Sequence, residues 1–143
     1  MIKVNADELK RFSVKLKNKS TDNTKISQAI KKSTLSIESN AKKNLTNNGS
    51  VVTGHLRRSI AHTLSENEGT VHTSNVVYAR GVEEGTKPHV IRPKNKKALY
   101  WKGAKHPVKS VNHKGSRAKP YLKPAFEDEK PKFIENLKEA VKL

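Results

Sequence analysis

Apolar residues follow two different periods along this chain, and one long stretch follows neither. Leu9, Phe12 and Leu16 recur at helical spacing behind Asn5 or Asp7 as caps, which predicts a short amphipathic helix broken by residues 18 to 23. A longer helix is expected from about Thr24. There Ile26, Ile30, Ile37, Ala41 and Leu45 form one stripe, and Lys25, Lys31, Lys32, Lys42 and Lys43 populate the other side. Asn47-Asn48-Gly49 is a C-cap and turn signal that ends it. From Ser59 the period changes to two. Ile60, His62 and Leu64 alternate with smaller or polar residues, Glu66 to Gly69 supplies a hairpin loop, and Thr70 to Thr73 reads as the returning strand.

After the hairpin, Val76 to Val82 carries Gly81, with Gly85 close behind, which favours a turn or a single helical turn over a strand. Residues 87 to 119 show no sustained period. Ala98-Leu99-Tyr100-Trp101 is their one apolar island and reads as a strand, as do the residues around Val108 and Val111. Phe126, Phe133, Ile134, Leu137 and Val141 then define a last helix. Pro131 should make the regular part begin there, after a separate or kinked turn that follows Pro124. Glu127, Asp128 and Glu129 would then lie at its positive end. The order helix, helix, strands, arm, helix predicts an α+β fold in one domain: a twisted antiparallel sheet packed by a long helix from the N-terminal half and a C-terminal helix, with a long basic arm. Residues 1–49 are expected to be helical, 50–86 to form strands and a turn, 87–119 the arm, and 120–143 the final helix.

Charge changes the picture most in the arm. The chain has 143 residues with 30 Lys and Arg against 13 Asp and Glu, a net charge of +17. Eleven of those cations, and no acid, fall between residues 87 and 119, so the remainder carries only +6. A basic run set between two ordered segments reads as an arm presented by a folded body. With 33% hydrophobic and 5% aromatic residues the core should be thin for its length. No cysteine is present, which excludes disulfides and thiolate metal sites. No apolar run is long enough for a membrane span or a signal peptide, so the chain is expected to be made in the cytoplasm.

Candidate chemistry is sparse. His55, His62, His72, His89, His106 and His113 are scattered, without the i, i+4 pairing or Glu flank of a zinc site, and read as surface residues. Glu83-Glu84 as an acid/base pair fails because adjacent side chains point apart and no nucleophile accompanies them. No catalytic, metal or cofactor residue is assigned, and the chain is not expected to be an enzyme. Arg92, Lys94, Lys96 and Lys97 beside Tyr100 and Trp101 combine phosphate-neutralising charge with stacking rings. They are the candidate residues for an interface or a polyanion contact. The blander reading makes Tyr100 and Trp101 an anchor that pins the arm to its own sheet or to a neighbouring chain.

The segment Val52-Thr53-Gly54-His55-Leu56-Arg57-Arg58-Ser59-Ile60 is followed by Tyr78-Ala79, Val82-Glu83-Glu84-Gly85-Thr86, Lys94 to Leu99, His113-Lys114-Gly115 and Pro120-Tyr121-Leu122-Lys123-Pro124-Ala125. In order and spacing this set resembles the head-tail joining or tail-completion (neck) proteins of long-tailed bacteriophages, over residues 24 to 143. Each motif alone is short; the ordered set carries the likeness. The chain departs from the family pattern at Glu84, where Phe is usual, and at Lys114, where Pro is common. The resemblance implies a virion structural protein at the head-tail junction. It would assemble with itself into a ring, commonly sixfold, through which genomic DNA passes, and would join the head connector to the tail tube, with no membrane involved. The alternative is a non-specific nucleic-acid-binding protein that uses the basic arm.

The motif residues also have structural readings. Thr53-Gly54 should make the bend after the long helix and turn Leu56 and Ile60 into the sheet. Tyr78 is expected between sheet and helix with its hydroxyl hydrogen-bonded. Glu83, Gly85 and Thr86 lead into the arm, and Pro120 and Pro124 fix the return path so that Tyr121 and Leu122 dock on the core.

Overall fold

The computed structural model describes residues 2–3, as backbone, and 23–141. The helix expected over Leu9, Phe12 and Leu16 lies outside them. In chain order the elements are β1 (Ile2–Lys3), α1 (Asn23–Asn47), α2 (His55–Ser59), β2 (Ile60–Leu64), β3 (Gly69–Thr73), α3 (Ala79–Glu84), β4 (His89–Ile91), β5 (Val111–His113) and α4 (Leu122–Val141). Helices and two small antiparallel sheets make the fold α+β, and α1 packs against α4.

Helix α1 forms where the stripe predicts it. Ala29, Ile30, Ile37, Ala41 and Leu45 are buried together with Ser33 and Thr34, and the exposed lysines face away. It closes as the Asn-Asn-Gly signal requires: the Ser50 amide donates to the Leu45 carbonyl and the Gly49 amide to that of Thr46, with Gly49 left-handed at φ 69°. Strands β2 and β3 pair antiparallel from Ile60 opposite Thr73 to Leu64 opposite Gly69. The sequence gives no sign of the third strand, β1, which pairs with β3 and sets the order β1-β3-β2.

Helix α4 runs antiparallel to α1. The Asn44 side-chain amide donates to the Tyr121 carbonyl near one end of the pair, and the Ser36 hydroxyl donates to Glu129 further along, at 2.6 Å. The core between helices and sheet is built from Ile37, Ala41, Leu45, Leu56, Ile60, Val71, Ala79, Tyr121, Leu122 and Ala125. The expectation that α4 starts at Pro131 is corrected, because the helix is continuous through that residue. Pro131 is exposed, and the carbonyl it leaves without an intrahelical donor belongs to exposed Glu127, where water can replace the missing N–H. Buried Ala125 and Glu129 before the proline, and Leu137 and Val141 after it, hold both halves against α1.

With the helix beginning at Leu122, no acid stands in its first turn, which corrects the placing of Glu127 to Glu129 at its positive end. Glu129 is instead buried beside Ser36. Pro124 falls in that first turn, where a missing N–H costs nothing.

Candidate functional site

The basic arm is a β-ribbon. Strands β4 and β5 pair antiparallel, His89 opposite His113 and Ile91 opposite Val111, and bridges at Thr86–Ser116 below and Leu99–Val108 above extend the pairing at both ends. The two edges are unequal in length. One strand takes eight steps from Ile91 to Leu99 while the other takes three from Val108 to Val111, so residues 92–98 bulge outward. Arg92, Lys94, Lys96 and Lys97 all sit in this bulge and all are exposed. Beyond Leu99 the tip turns at Trp101–Ala104, whose backbone hydrogen bond is 3.0 Å long, with Gly103 at φ 98°. Tyr100 and Trp101 are 68% and 50% exposed at this tip, beside exposed Lys102 and Lys105. The reading of the two rings as an anchor on the chain's own sheet is therefore corrected; the backbone ladder gives the ribbon its form.

The root of the ribbon is tight. Thr86 and Ser116 exchange backbone hydrogen bonds of 3.0 Å in each direction, and their hydroxyls lie 2.9 Å apart. Gly85 at φ 77° and Gly115 at φ 85° flank this pair. A Cβ on Gly85 would come within 2.7 Å of the Ser116 carbonyl, and one on Gly115 would run into the Thr86 carbonyl, so only glycine lets the strands close here. The returning strand is then tied to the body, with the Lys119 amide donating to the Val82 carbonyl at 2.8 Å and the Asn48 side chain to the Lys119 carbonyl.

Glu83 joins the root to the core. Its carboxylate accepts the amides of Tyr121, Leu122 and Lys123 at 2.8, 3.0 and 2.9 Å. These are amides at the start of α4, which the helix itself leaves without acceptors, and the negative charge also suits the positive end of the helix. Glu84 points elsewhere and pairs with Arg80 on the surface, consistent with adjacent side chains diverging. Tyr121, the residue these bonds position, has no solvent exposure. Burial first, and then the Glu83 charge, push its phenol up to about 12, against a hydrogen bond with Thr73 that works the other way.

Tyr78, expected in that buried role, is 52% exposed. One face of α3 is committed inward through Ala79, Val82 and Glu83, and this turns the preceding tyrosine out. Tyr121 does what was assigned to Tyr78. Other motif residues stand as expected: Gly54 is left-handed at φ 73° beneath α2, Thr53 accepts the His55 amide, and Leu56 and Ile60 are buried. Pro120 is exposed at the turn that delivers Tyr121 and Leu122 to the core.

Of the histidines, His62 departs from a plain surface role. It pairs with Glu38, which Lys42 also contacts. Burial raises the Glu38 carboxyl, but hydrogen bonds and charge from Lys42 and His62 outweigh it and hold the group below its ordinary value. His89 and His113 meet across the ribbon with ring centres 5.0 Å apart. Among the described residues no cluster of His, Asp or Glu is arranged to hold a metal ion, and no helix is long and apolar enough to cross a membrane.

No family model, curated protein or solved structure matches this chain.

Proposed function

We propose that this is a structural protein of the phage head-tail junction, a ring-forming tail-completion or connector component that joins the head connector to the tail tube. The observation that carries the reading is the division of labour within the chain: among the described residues a small body holds all the buried ones, and a ribbon rooted on it presents Tyr100, Trp101, Val90 and Ile91 to its surroundings. Val52 and Val77 on the body are almost fully exposed as well. Apolar side chains left open on both parts suit a chain completed by neighbours in an assembly, where shape and interface are the function. The ordered motif set supports the same reading, since its residues recur at the joints of the fold: Gly54 at the bend, Gly85 and Thr86 at the ribbon root, Glu83 and Tyr121 at the start of α4. The protein would then occupy the virion, and the host cytoplasm during assembly.

The test is its presence and position in particles. Mass measurement of the pure protein across a concentration range should reveal a ring-sized species, and electron microscopy of labelled virions should find the chain at the neck. Its absence from purified virions would defeat the proposal.

A further inference from the structure

We infer that the ribbon formed by residues 86–116 is a docking site for double-stranded nucleic acid, held through the phosphate backbone without reading base sequence. Charge and shape carry this inference, and it holds whether or not the chain sits at a phage neck. From residue 87 to 119 the chain has eleven cations and no acid, and not one of these residues is buried. A ribbon that contributes nothing to the core and crowds like charges together is costly to keep unless an anionic partner neutralises it.

The distribution of charge separates the possible partners. Cations lie on both strands, in the bulge at Arg92, Lys94, Lys96 and Lys97, at the tip at Lys102 and Lys105, and on the returning strand at Lys109 and Lys114. No acid is interspersed, so the ribbon presents a uniformly positive surface of the kind that a repeating phosphate backbone matches. From Val108 to Ser116 the returning edge spans at most about 27 Å at 3.4 Å per residue. Over that length a duplex presents roughly 16 phosphates, enough to match every cation. A two-stranded ribbon is also narrow enough to enter a major groove about 12 Å wide. Single strands are bound by a series of rings along a groove, whereas here two rings stand side by side at a tip.

The experiment uses the full chain and a blunt duplex of about 30 base pairs, titrated over a range of salt. Trp101 is the chain's one tryptophan and lies at the ribbon tip, so its fluorescence reports on the site directly. Duplex should protect Trp101 from acrylamide at least about twofold, and two unrelated sequences should bind within about threefold of each other, as backbone recognition demands. Changing Arg92, Lys94, Lys96 and Lys97 together to Gln should flatten the slope of log affinity against log salt by about 3 to 4, near 0.9 for each phosphate no longer neutralised. Changing four exposed lysines of α1 (Lys25, Lys31, Lys32 and Lys43) to Gln removes the same charge and should leave that slope within about 1 of the parent. Equal flattening in the two variants would overturn the site and leave only net charge. Equal protection by poly-glutamate would overturn the nucleic-acid assignment in favour of an acidic protein surface, and tighter binding of single strands would overturn the duplex. The protection measurement on the unaltered chain decides the matter even if a variant folds poorly.

Discussion

The body and the ribbon use the same kinds of backbone hydrogen bond and differ in everything around them. In the body the paired strands and helices have faces with somewhere to go: Ile60 and Val71 lie under α1, and Ala125 and Leu137 lie against it. In the ribbon, among the described residues, the ladder between β4 and β5 has no third layer, and Val90 and Ile91 remain exposed. A two-stranded hairpin alone is marginal in water. Here the root supplies what a core would otherwise provide, through the paired Gly85 and Gly115, the Thr86–Ser116 bridge and the tie from Lys119 to Val82. The contrast teaches that stability in this molecule resides on the body's side of the root, and recognition on the other.

Substitutions should divide along that line. Tyr121→Ala removes the largest fully buried side chain and should cost about 3 to 5 kcal/mol, read by chemical denaturation; a drop below about 1 kcal/mol would mean that the core is not centred there. Glu83→Ala leaves three amides at the start of α4 without their acceptor and should cost about 2 to 3 kcal/mol, more than an ordinary helix cap.

Alkali should act on the body through the same tyrosine. Its phenol is raised to about 12 in the folded chain from an ordinary 10.0, so the stability this represents is fully present below pH 10 and is lost as pH rises towards 12. The loss amounts to about 2 to 3 kcal/mol. Tyr121→Phe should remove this step, and an unchanged alkaline melting profile in that variant would contradict the assignment. At the far end of the scale, Tyr100→Ser and Trp101→Ser should each change stability by less than about 0.5 kcal/mol, because both rings are exposed. A destabilisation of about 2 kcal/mol from either would break the division between body and ribbon.

What could be read from the sequence follows the same division. The stripe on α1, its Asn-Asn-Gly end and the period-two hairpin are local signals, and each appears where it was expected. Contacts between distant residues were not legible. Glu83 reaches amides 38 to 40 residues away, and nothing in its neighbourhood distinguishes it from Glu84. Tyr121 was expected on the core and is buried there, whereas Tyr78, expected between sheet and helix, is turned out by the face that α3 commits inward. Glu129 was grouped with Glu127 and Asp128 at the positive end of the last helix, yet it is buried against Ser36. In the arm, the cations Arg92, Lys94, Lys96 and Lys97 were singled out by charge and Tyr100 and Trp101 by their rings, and all six are exposed. A strand near Val111 was expected and forms as β5, but its pairing with His89–Ile91 was not legible, since Pro93, Pro107 and the unequal strands hide the alternation.

The most direct test of the central claim is thermal unfolding of a chain in which residues 92 to 111 are replaced by a short Gly/Ser linker. A body that holds its own stability predicts a cooperative transition within a few degrees of the parent chain. Loss of that transition, or a drop of more than about 10 °C, which corresponds to about 3 kcal/mol in a domain of this size, would make the ribbon part of the core and contradict the account.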